Sequence, residues 1–227
     1  MRISGLVVLA VALTAAACGR PEETVARAEQ IVDFETLYVT NCAGCHGING
    51  RHGVAQPLND PLYLSIVSGP QLRDVITHGV KGTPMTAFDR ASGGMLTTQQ
   101  IDVLVAGLRQ VWGSRTTSGQ SLPAYSEEES ISRGVAAGDV GRGAAVYESK
   151  CATCHEGRLN SQSYAGSIID ESFLAITSDQ ALRTAVITGQ RDEASPAWRD
   201  CKSAQALSEQ AISDVIAWIA SHRENHE

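Results

Sequence analysis

The stretches that decide the fold are Cys42-Ala43-Gly44-Cys45-His46 and Cys151-Ala152-Thr153-Cys154-His155, which repeat one Cys-x-x-Cys-His pattern at an offset of 109 residues. The similarity extends upstream of both motifs. Three residues of the first half stand opposite three of the second with i, i+3, i+4 spacing: Phe34, Leu37 and Tyr38 opposite Gly143, Val146 and Tyr147. That spacing predicts one helix running into each motif.

The two halves also match downstream of the motifs. Leu72-Arg73 corresponds to Leu182-Arg183, and Thr77-His78-Gly79 corresponds to Ile187-Thr188-Gly189, with one extra residue in the second half. Apolar residues then recur with helical spacing near the end of each half: Leu96, Ile101, Leu104, Val105 and Leu108, and Leu207, Ile212, Val215, Ile216 and Ile219. Thr97 or Thr98 in the first half and Ser208 in the second are suitable N-caps for these helices. The sequence therefore predicts a duplicated, all-α domain.

Composition agrees with two small domains and excludes some functions. The chain has 227 residues, of which 43% are hydrophobic, enough for two small cores. The net charge of −7 is scattered along the chain, so no basic face for nucleic acid is predicted. Only 5% of the residues are aromatic, which is low for such cores unless a large apolar group fills part of them.

The first 17 residues are typical of an export signal. Arg2 precedes an apolar run that is too short to span a bilayer, and small residues follow it. Cys18 comes directly after them, as in a lipoprotein signal whose Cys carries the lipid, although Ala15 stands where such signals usually have Leu. We expect a lipid anchor at Cys18; cleavage without lipid is the alternative.

The remaining chain divides into four predicted segments. Residues 18–27 form a tether, 28–112 the first domain, 113–133 a linker and 134–227 the second domain. The linker contains Ser-Gly-Gln-Ser-Leu-Pro and three consecutive glutamates, with little apolar periodicity.

The cysteines carry the strongest chemical signal. Six cysteines in an exported protein would ordinarily suggest disulfides, but four of them lie in the two Cys-x-x-Cys-His units. That pattern is the attachment signature of c-type haem, in which both thiols form thioethers with the porphyrin and the histidine binds its iron. Cys42, Cys45, Cys151 and Cys154 are thus predicted to bind two covalent haem c groups, with His46 and His155 as iron ligands. A redox dithiol and a zinc site are the alternatives; the 105 residues between the pairs disfavour zinc.

With these motifs the chain resembles the class I cytochromes c. Gly82-Thr83-Pro84-Met85-Thr86-Ala87-Phe88 is similar to the family's G-x-x-M-P-x-F segment, with Thr86 where Pro is usual. The resemblance implies two tandem domains, each with about three helices around a covalent haem. It also implies that Met85 is the second axial ligand opposite His46, and that the carbonyl of Pro57 accepts a hydrogen bond from the His46 ring. We expect Met95 to be a core residue.

The second half departs from this pattern. Pro196-Ala197-Trp198 keeps the end of the segment, but Ser195 stands where the methionine should be. Three outcomes are open for the second iron: five-coordination or a bound water, a thiolate from Cys201, or a histidine from the C-terminus, His222 or His226. Ser167 takes the place of Pro57.

The resemblance implies single-electron transfer in the periplasm rather than catalysis. The expected donor is a quinol-oxidising complex or a dehydrogenase and the expected acceptor a terminal one such as an oxidase, so the partner is a redox protein or a membrane respiratory complex. The alternative is a diheme enzyme whose second haem is catalytic, either peroxidase-like or oxidising sulfur compounds. The second half shows no obvious distal acid-base pair; Glu193 and Arg191 are its nearest ionisable residues.

Overall fold

The computed structural model describes residues 27–113, 121–155, 165–189, 197–198 and 206–223. Within these ranges the protein is helical, and the only β contact is an isolated bridge between Asp89 and Leu96. The all-α prediction is confirmed. In the described ranges no helix combines the length and the apolar character needed to cross a bilayer. Several residues singled out in the sequence lie outside the described residues: Cys18, Arg191, Glu193, Ser195, Cys201 and His226.

The helices follow each other in the same order in both halves. The first half has α1 (Phe34–Asn41), α2 (Ala43–His46), α3 (Pro61–Ile66), α4 (Gly69–His78) and α5 (Thr98–Gly107), which continues as a π-helical turn over Leu108–Trp112. After α6 (Glu127–Ser132), the second half has α7 (Val140–Lys150), α8 (Ala152–His155), α9 (Glu171–Ala175), α10 (Asp179–Thr188) and α11 (Glu209–Ala220). Within the described residues each half therefore has five α-helices, of which three are long enough to match the predicted ones.

Side-chain caps explain where the long helices begin. Asp33 accepts from Thr36 N at the start of α1, and Asp139 accepts from Arg142 N at the start of α7. Thr97 and Ser208 cap α5 and α11, so Thr97 rather than Thr98 is the cap in the first half. These oxygens satisfy backbone donors that a helix cannot satisfy internally.

The first and last long helices of each half cross at a glycine. A Cβ atom on Gly107 of α5 would lie 2.1 Å from the Phe34 ring of α1. In the second half the glycine is on the other helix: a Cβ on Gly143 of α7 would lie 2.0 Å from Asp214 O and 2.7 Å from Trp218 Cβ. The large side chain at the crossing is therefore Phe34 on the first helix in one half and Trp218 on the last helix in the other. The two helices approach closely in both halves.

Two hydrophobic cores lie around these crossings. The first contains Leu37, Tyr38, Leu72, Ile101 and Leu104, and the second contains Tyr147, Leu182, Ile187, Ile212 and Val215. Ile66, at the end of α3, packs against both cores. Tyr125, from the predicted linker, is buried in the first core, and α6 also lies in the segment predicted to be a linker. This segment is therefore structured where the structure describes it, because capping by Ser126 and burial of Ser130 and Tyr125 stabilise it.

Asp214 joins α7 to α11 in the second half. Its carboxylate accepts from Asp139 N at 2.9 Å and from the Arg142 guanidinium at 2.7 and 2.8 Å, and only 3% of the residue is exposed. Burial alone would raise the pKa of Asp214, but the hydrogen bonds from Arg142, Asp139 and Gln210 bring this pKa below its ordinary value. A depressed pKa in the folded state means that ionised Asp214 stabilises the fold at neutral pH, and that this stabilisation is lost as the pH falls through the folded-state pKa.

We therefore expect Asp214→Asn to lower the free energy of unfolding of the protein at pH 7 by about 1–3 kcal/mol, because it weakens bonds to a charged partner in a buried position. The loss should shrink in acid, as urea denaturation at both pH values would show. Asp102→Asn is the control, since Asp102 forms an exposed ion pair with Arg73 and such pairs contribute about 0–1 kcal/mol. Equal losses from the two variants would contradict the role given to Asp214.

Candidate haem sites

The two Cys-x-x-Cys-His motifs have the same backbone arrangement. Cys42 N donates to Tyr38 O at 2.8 Å, so the motif begins where α1 ends, and His46 N donates back to Cys42 O at 3.0 Å. Cys151 N donates to Tyr147 O at 2.8 Å, and His155 N donates to Cys151 O at 3.0 Å. The helical turn holds both cysteines and the histidine of each motif within one segment of five residues.

None of the four motif cysteines, Cys42, Cys45, Cys151 and Cys154, takes part in a disulfide. Cys42 and Cys151 are half-buried, whereas Cys45 and Cys154 are exposed. Burial raises the pKa of the Cys42 thiol to about 11, and the charge of the nearby Cys45 thiolate contributes less to this increase. A redox-active dithiol depends on a lowered thiol pKa, so this environment does not favour the redox alternative.

Each motif histidine is oriented by a backbone carbonyl. His46 Nδ1 lies 2.8 Å from Gln56 O, and His155 Nδ1 lies 2.8 Å from Gly166 O. A carbonyl only accepts, so Nδ1 carries the proton and Nε2 is left to bind a metal. The prediction that Pro57 supplies this carbonyl is wrong by one residue: Gln56 does, and its counterpart Gly166 precedes Ser167. Burial lowers the pKa of His46 against the opposing effect of the bond to Gln56, which favours the neutral, metal-binding imidazole.

The loop that carries Met85 is held at both ends. Val80 N donates to Met85 O at 2.8 Å, and Phe88 N donates to Ile76 O at 3.0 Å in the last turn of α4. Gly79 begins the loop with φ +71°, and a Cβ there would lie 2.5 Å from Met85 O, so only glycine fits. Met85 is half-buried in this loop. Met95, by contrast, is 73% exposed, so the prediction that it is a core residue is wrong.

Bonds at similar places support the register of the second half. Trp198 N donates to Ile187 O at 3.3 Å in the last turn of α10, as Phe88 N donates to Ile76 O in the last turn of α4, although Ile187 aligns with Thr77, the next residue. Leu207 N then donates to Trp198 O at 3.0 Å, as Leu96 N does to Phe88 O at 2.8 Å. Trp198 is therefore the counterpart of Phe88, and three positions earlier the sequence has Ser195 in place of Met85.

His222, one of the residues considered for the second iron, lies at the end of α11. Its Nδ1 is 2.9 Å from Trp218 O, and its ring packs edge-on against Trp218 at 4.4 Å between centroids. The side chain is exposed there. The contacts given for His222 are thus local ones to Trp218, on the helix whose end it follows.

These residues fit a covalently bound haem. Each half offers two cysteine thiols outside any disulfide and an imidazole whose Nδ1 is held by a carbonyl so that Nε2 can bind a metal, and the first half adds a thioether on a glycine-dependent loop. Nowhere in the described part of the chain do three or more His, Cys, Asp or Glu side chains gather into a metal site, so the zinc alternative finds no ligand set there.

Comparison with known proteins identifies the family. The sequence model described as "Cytochrome C oxidase, cbb3-type, subunit III" matches residues 29–106 and 138–219. The cbb3-type cytochrome c oxidase subunit CcoP of Azospirillum sp. (strain B510) is 26% identical in an alignment of 175 positions that covers 70% of this chain and 52% of that protein. The cytochrome bc1 complex cytochrome c subunit of Mycobacterium tuberculosis (strain ATCC 25618 / H37Rv) is 27% identical in an alignment of 232 positions that covers 96% of this chain and 76% of that protein.

A third relative is the cbb3-type cytochrome c oxidase subunit FixP of Azorhizobium caulinodans, which is 28% identical in an alignment of 180 positions that covers 77% of this chain and 54% of that protein. The chain thus spans about half the length of the cbb3-type relatives it matches. The family match covers most of the chain in two segments, each with one Cys-x-x-Cys-His motif. The chain therefore belongs to the cytochrome c family described as cbb3-type cytochrome c oxidase, subunit III, whose members bind haem c covalently and transfer electrons.

Proposed function

We propose that this protein is an exported diheme cytochrome c that passes single electrons between a respiratory donor and a terminal acceptor. Cys42 and Cys45 hold the first haem and Cys151 and Cys154 the second, with His46 and His155 as the iron ligands. The observation that carries the proposal is the repeated geometry of the two histidines, each of which donates from Nδ1 to a carbonyl at 2.8 Å and so presents Nε2.

When bound, haem supplies one-electron iron chemistry, and the chain determines its potential. The carbonyls of Gln56 and Gly166 fix the histidine rings and increase the basicity of their Nε2 atoms. Met85, as the second ligand of the first haem, offers a thioether that favours ferrous iron and so raises the potential. Since Ser195 stands at the corresponding position of the second half, that half lacks this contribution.

The difference between the halves gives electron flow a direction. A higher potential at the first haem favours entry of electrons at the second haem and exit from the first. The relatives are named as subunits of cbb3-type oxidases and of the cytochrome bc1 complex, which supports a membrane respiratory complex as the partner. We place the domains at 28–112 and 134–227, joined by 113–133, behind an export signal at 1–17 and a tether at 18–27 lipidated at Cys18.

One observation favours a second candidate function. The absence of methionine at position 195 allows an open or thiolate-ligated second iron, with Cys201 as the thiolate, and an open iron can bind a small substrate. In that case the second haem would be catalytic, peroxidase-like or oxidising sulfur compounds, and the first would supply its electrons.

Mass spectrometry of the protein matured in a periplasm with haem-attachment machinery tests the main proposal. We expect the intact mass to include two haem groups, and peptide maps to place one on each Cys pair. A Cys42→Ala/Cys45→Ala variant should keep only the second haem, and Cys151→Ala/Cys154→Ala only the first. A wild-type protein with fewer than two haems would contradict the diheme proposal.

A further inference from the structure

The two halves are in direct contact along α10 of the second half. Helix α3 packs against α10, and Ile66 of α3 contacts both cores. Two side chains of α10 also donate to backbone carbonyls of the connecting segment: Gln180 Nε2 to Tyr125 O at 2.7 Å, and Arg183 Nε to Ala124 O at 3.0 Å. Since Tyr125 is buried in the first core, α10 is fixed against the first half.

One contact of this interface comes from the residue that orients the first motif histidine. Gln56 O lies 2.8 Å from His46 Nδ1, while the Gln56 side-chain Nε2 donates to Thr188 Oγ1, in the last turn of α10, at 3.4 Å. Thr188 is fully buried, and its hydroxyl donates to Thr184 O at 2.9 Å. Because the hydroxyl proton is used in this bond, the lone pairs of the Thr188 oxygen can accept a hydrogen bond from Gln56 Nε2.

The same turn of α10 is also bonded to the distal segment of the second half. Ile187 O accepts from Trp198 N at 3.3 Å, and Trp198 lies three positions after Ser195. Adjacent residues of one helical turn thus contact the first histidine's acceptor residue and the segment that follows the missing methionine.

This arrangement is not a requirement of the fold. In the first half the counterpart of Thr188 is His78, which is exposed and bonds to Asp74 on its own helix. The acceptor for His155 is Gly166, which has no side chain that could reach another domain. Among the described residues, a side-chain link to the other half is therefore seen for the acceptor residue of the first histidine and not for that of the second.

We propose that the Gln56–Thr188 contact couples the first haem to the docking of the second half. This inference rests on the proposed function. The contact fixes the Gln56 side chain, and with it the peptide plane whose carbonyl accepts from His46. A well-aligned acceptor makes the imidazole more basic and stabilises ferric iron, which lowers the potential of the first haem. Gln56 is thus a positioning residue that acts through His46.

The test is a redox titration of the holoprotein that resolves the two haems. Thr188→Val has the same shape but no acceptor, and it leaves the Gln56 carbonyl in place. We expect it to raise the potential of the first haem alone, changing the electron-exchange equilibrium between the haems about threefold, or about 30 mV at about 59 mV per tenfold for one electron. Gln56→Ala should have the same effect. The double variant should shift no further than either single variant, because both remove one contact.

Thr184→Val is the matched control. Thr184 is a buried threonine one turn earlier on α10, and its hydroxyl donates to Gln180 O and accepts from Gln180 Nε2 rather than from Gln56. We expect no change in the first potential from this variant. As a second readout, the His46 Nδ1 proton should exchange with solvent faster in Thr188→Val, measured by NMR.

Three results would overturn the coupling: an unchanged first potential in both single variants, an equal shift from Thr184→Val, or additive shifts in the double variant. Failure of the proposed function is separable from these, because the mass of the purified holoprotein shows beforehand whether haem is attached at each site.

Discussion

Replacing Met85 by Ala is expected to lower the potential of the first haem by on the order of 100 mV or more, because axial ligands set haem potentials over about 0.8 V and a thioether favours ferrous iron. The loop itself should survive, since its bonds run through the backbone of Met85 and Phe88 rather than through the thioether. The Met-to-iron charge-transfer band should disappear, and the reduced first haem should become able to bind carbon monoxide. Redox titration and absorption spectra measure these changes.

The control for this variant is Met95→Ala. Met95 is 73% exposed and only its backbone carbonyl is bonded, to Arg90 Nε, so its loss should leave the spectrum and both potentials unchanged. Persistence of the charge-transfer band in Met85→Ala would show that Met85 is not the ligand.

The second large effect is expected from Ser195→Met. The Pro196-Ala197-Trp198 tail aligns with Thr86-Ala87-Phe88, so position 195 of the sequence corresponds to Met85. A methionine there should give the second haem His/Met ligation and raise its potential by an amount similar to the loss in Met85→Ala. The expected sign is thus opposite in the two variants, and the gap between the haem potentials should narrow in both.

Carbon monoxide distinguishes the ways in which Ser195→Met can act. We expect the reduced wild-type protein to bind it at the second haem only, and Ser195→Met to bind it at neither. Cys201→Ala is the companion variant: an unchanged oxidised spectrum excludes a thiolate from Cys201. Failure of the wild-type protein to bind carbon monoxide would mean that the second iron already has a strong sixth ligand.

These outcomes also separate the two candidate functions. An open second haem keeps the enzymatic alternative, in which a small molecule binds where the thioether is missing. A second haem that is closed in the reduced protein favours the electron carrier, since transfer through the haem edge needs no free coordination position.

Much of the candidate site follows from local sequence. The Cys-x-x-Cys-His motifs predict a tight helical turn, and Thr97 and Ser208 mark the starts of the last helices because a hydroxyl before an apolar periodic run caps a helix. The sequence also shows that Ser195 stands where the first half has Met85, because the Pro196-Ala197-Trp198 tail of the second half keeps the alignment. The backbone bond from Leu207 N to Trp198 O supports this alignment.

Other features depended on which segments meet in space. The sequence alignment placed Gly143 opposite Phe34 but did not show that Trp218 packs against this glycine. Gly143 and Trp218 are far apart in sequence, so only the fold brings them together. The linker composition did not reveal α6, which is stabilised by the Ser126 cap and by burial of Ser130 rather than by apolar periodicity.

The sequence by itself determined the duplicated all-α architecture, the positions of the thiols and histidines and the methionine that only one half possesses, because these are set by residue identity and by spacing within a turn or two of helix. Only the tertiary structure decided that Gln56 rather than Pro57 orients His46, and that the same residue reaches Thr188. The reason is physical: a carbonyl's direction depends on the path of the whole loop, and a contact between halves depends on how two cores pack, and neither is encoded in the spacing of the residues that make it.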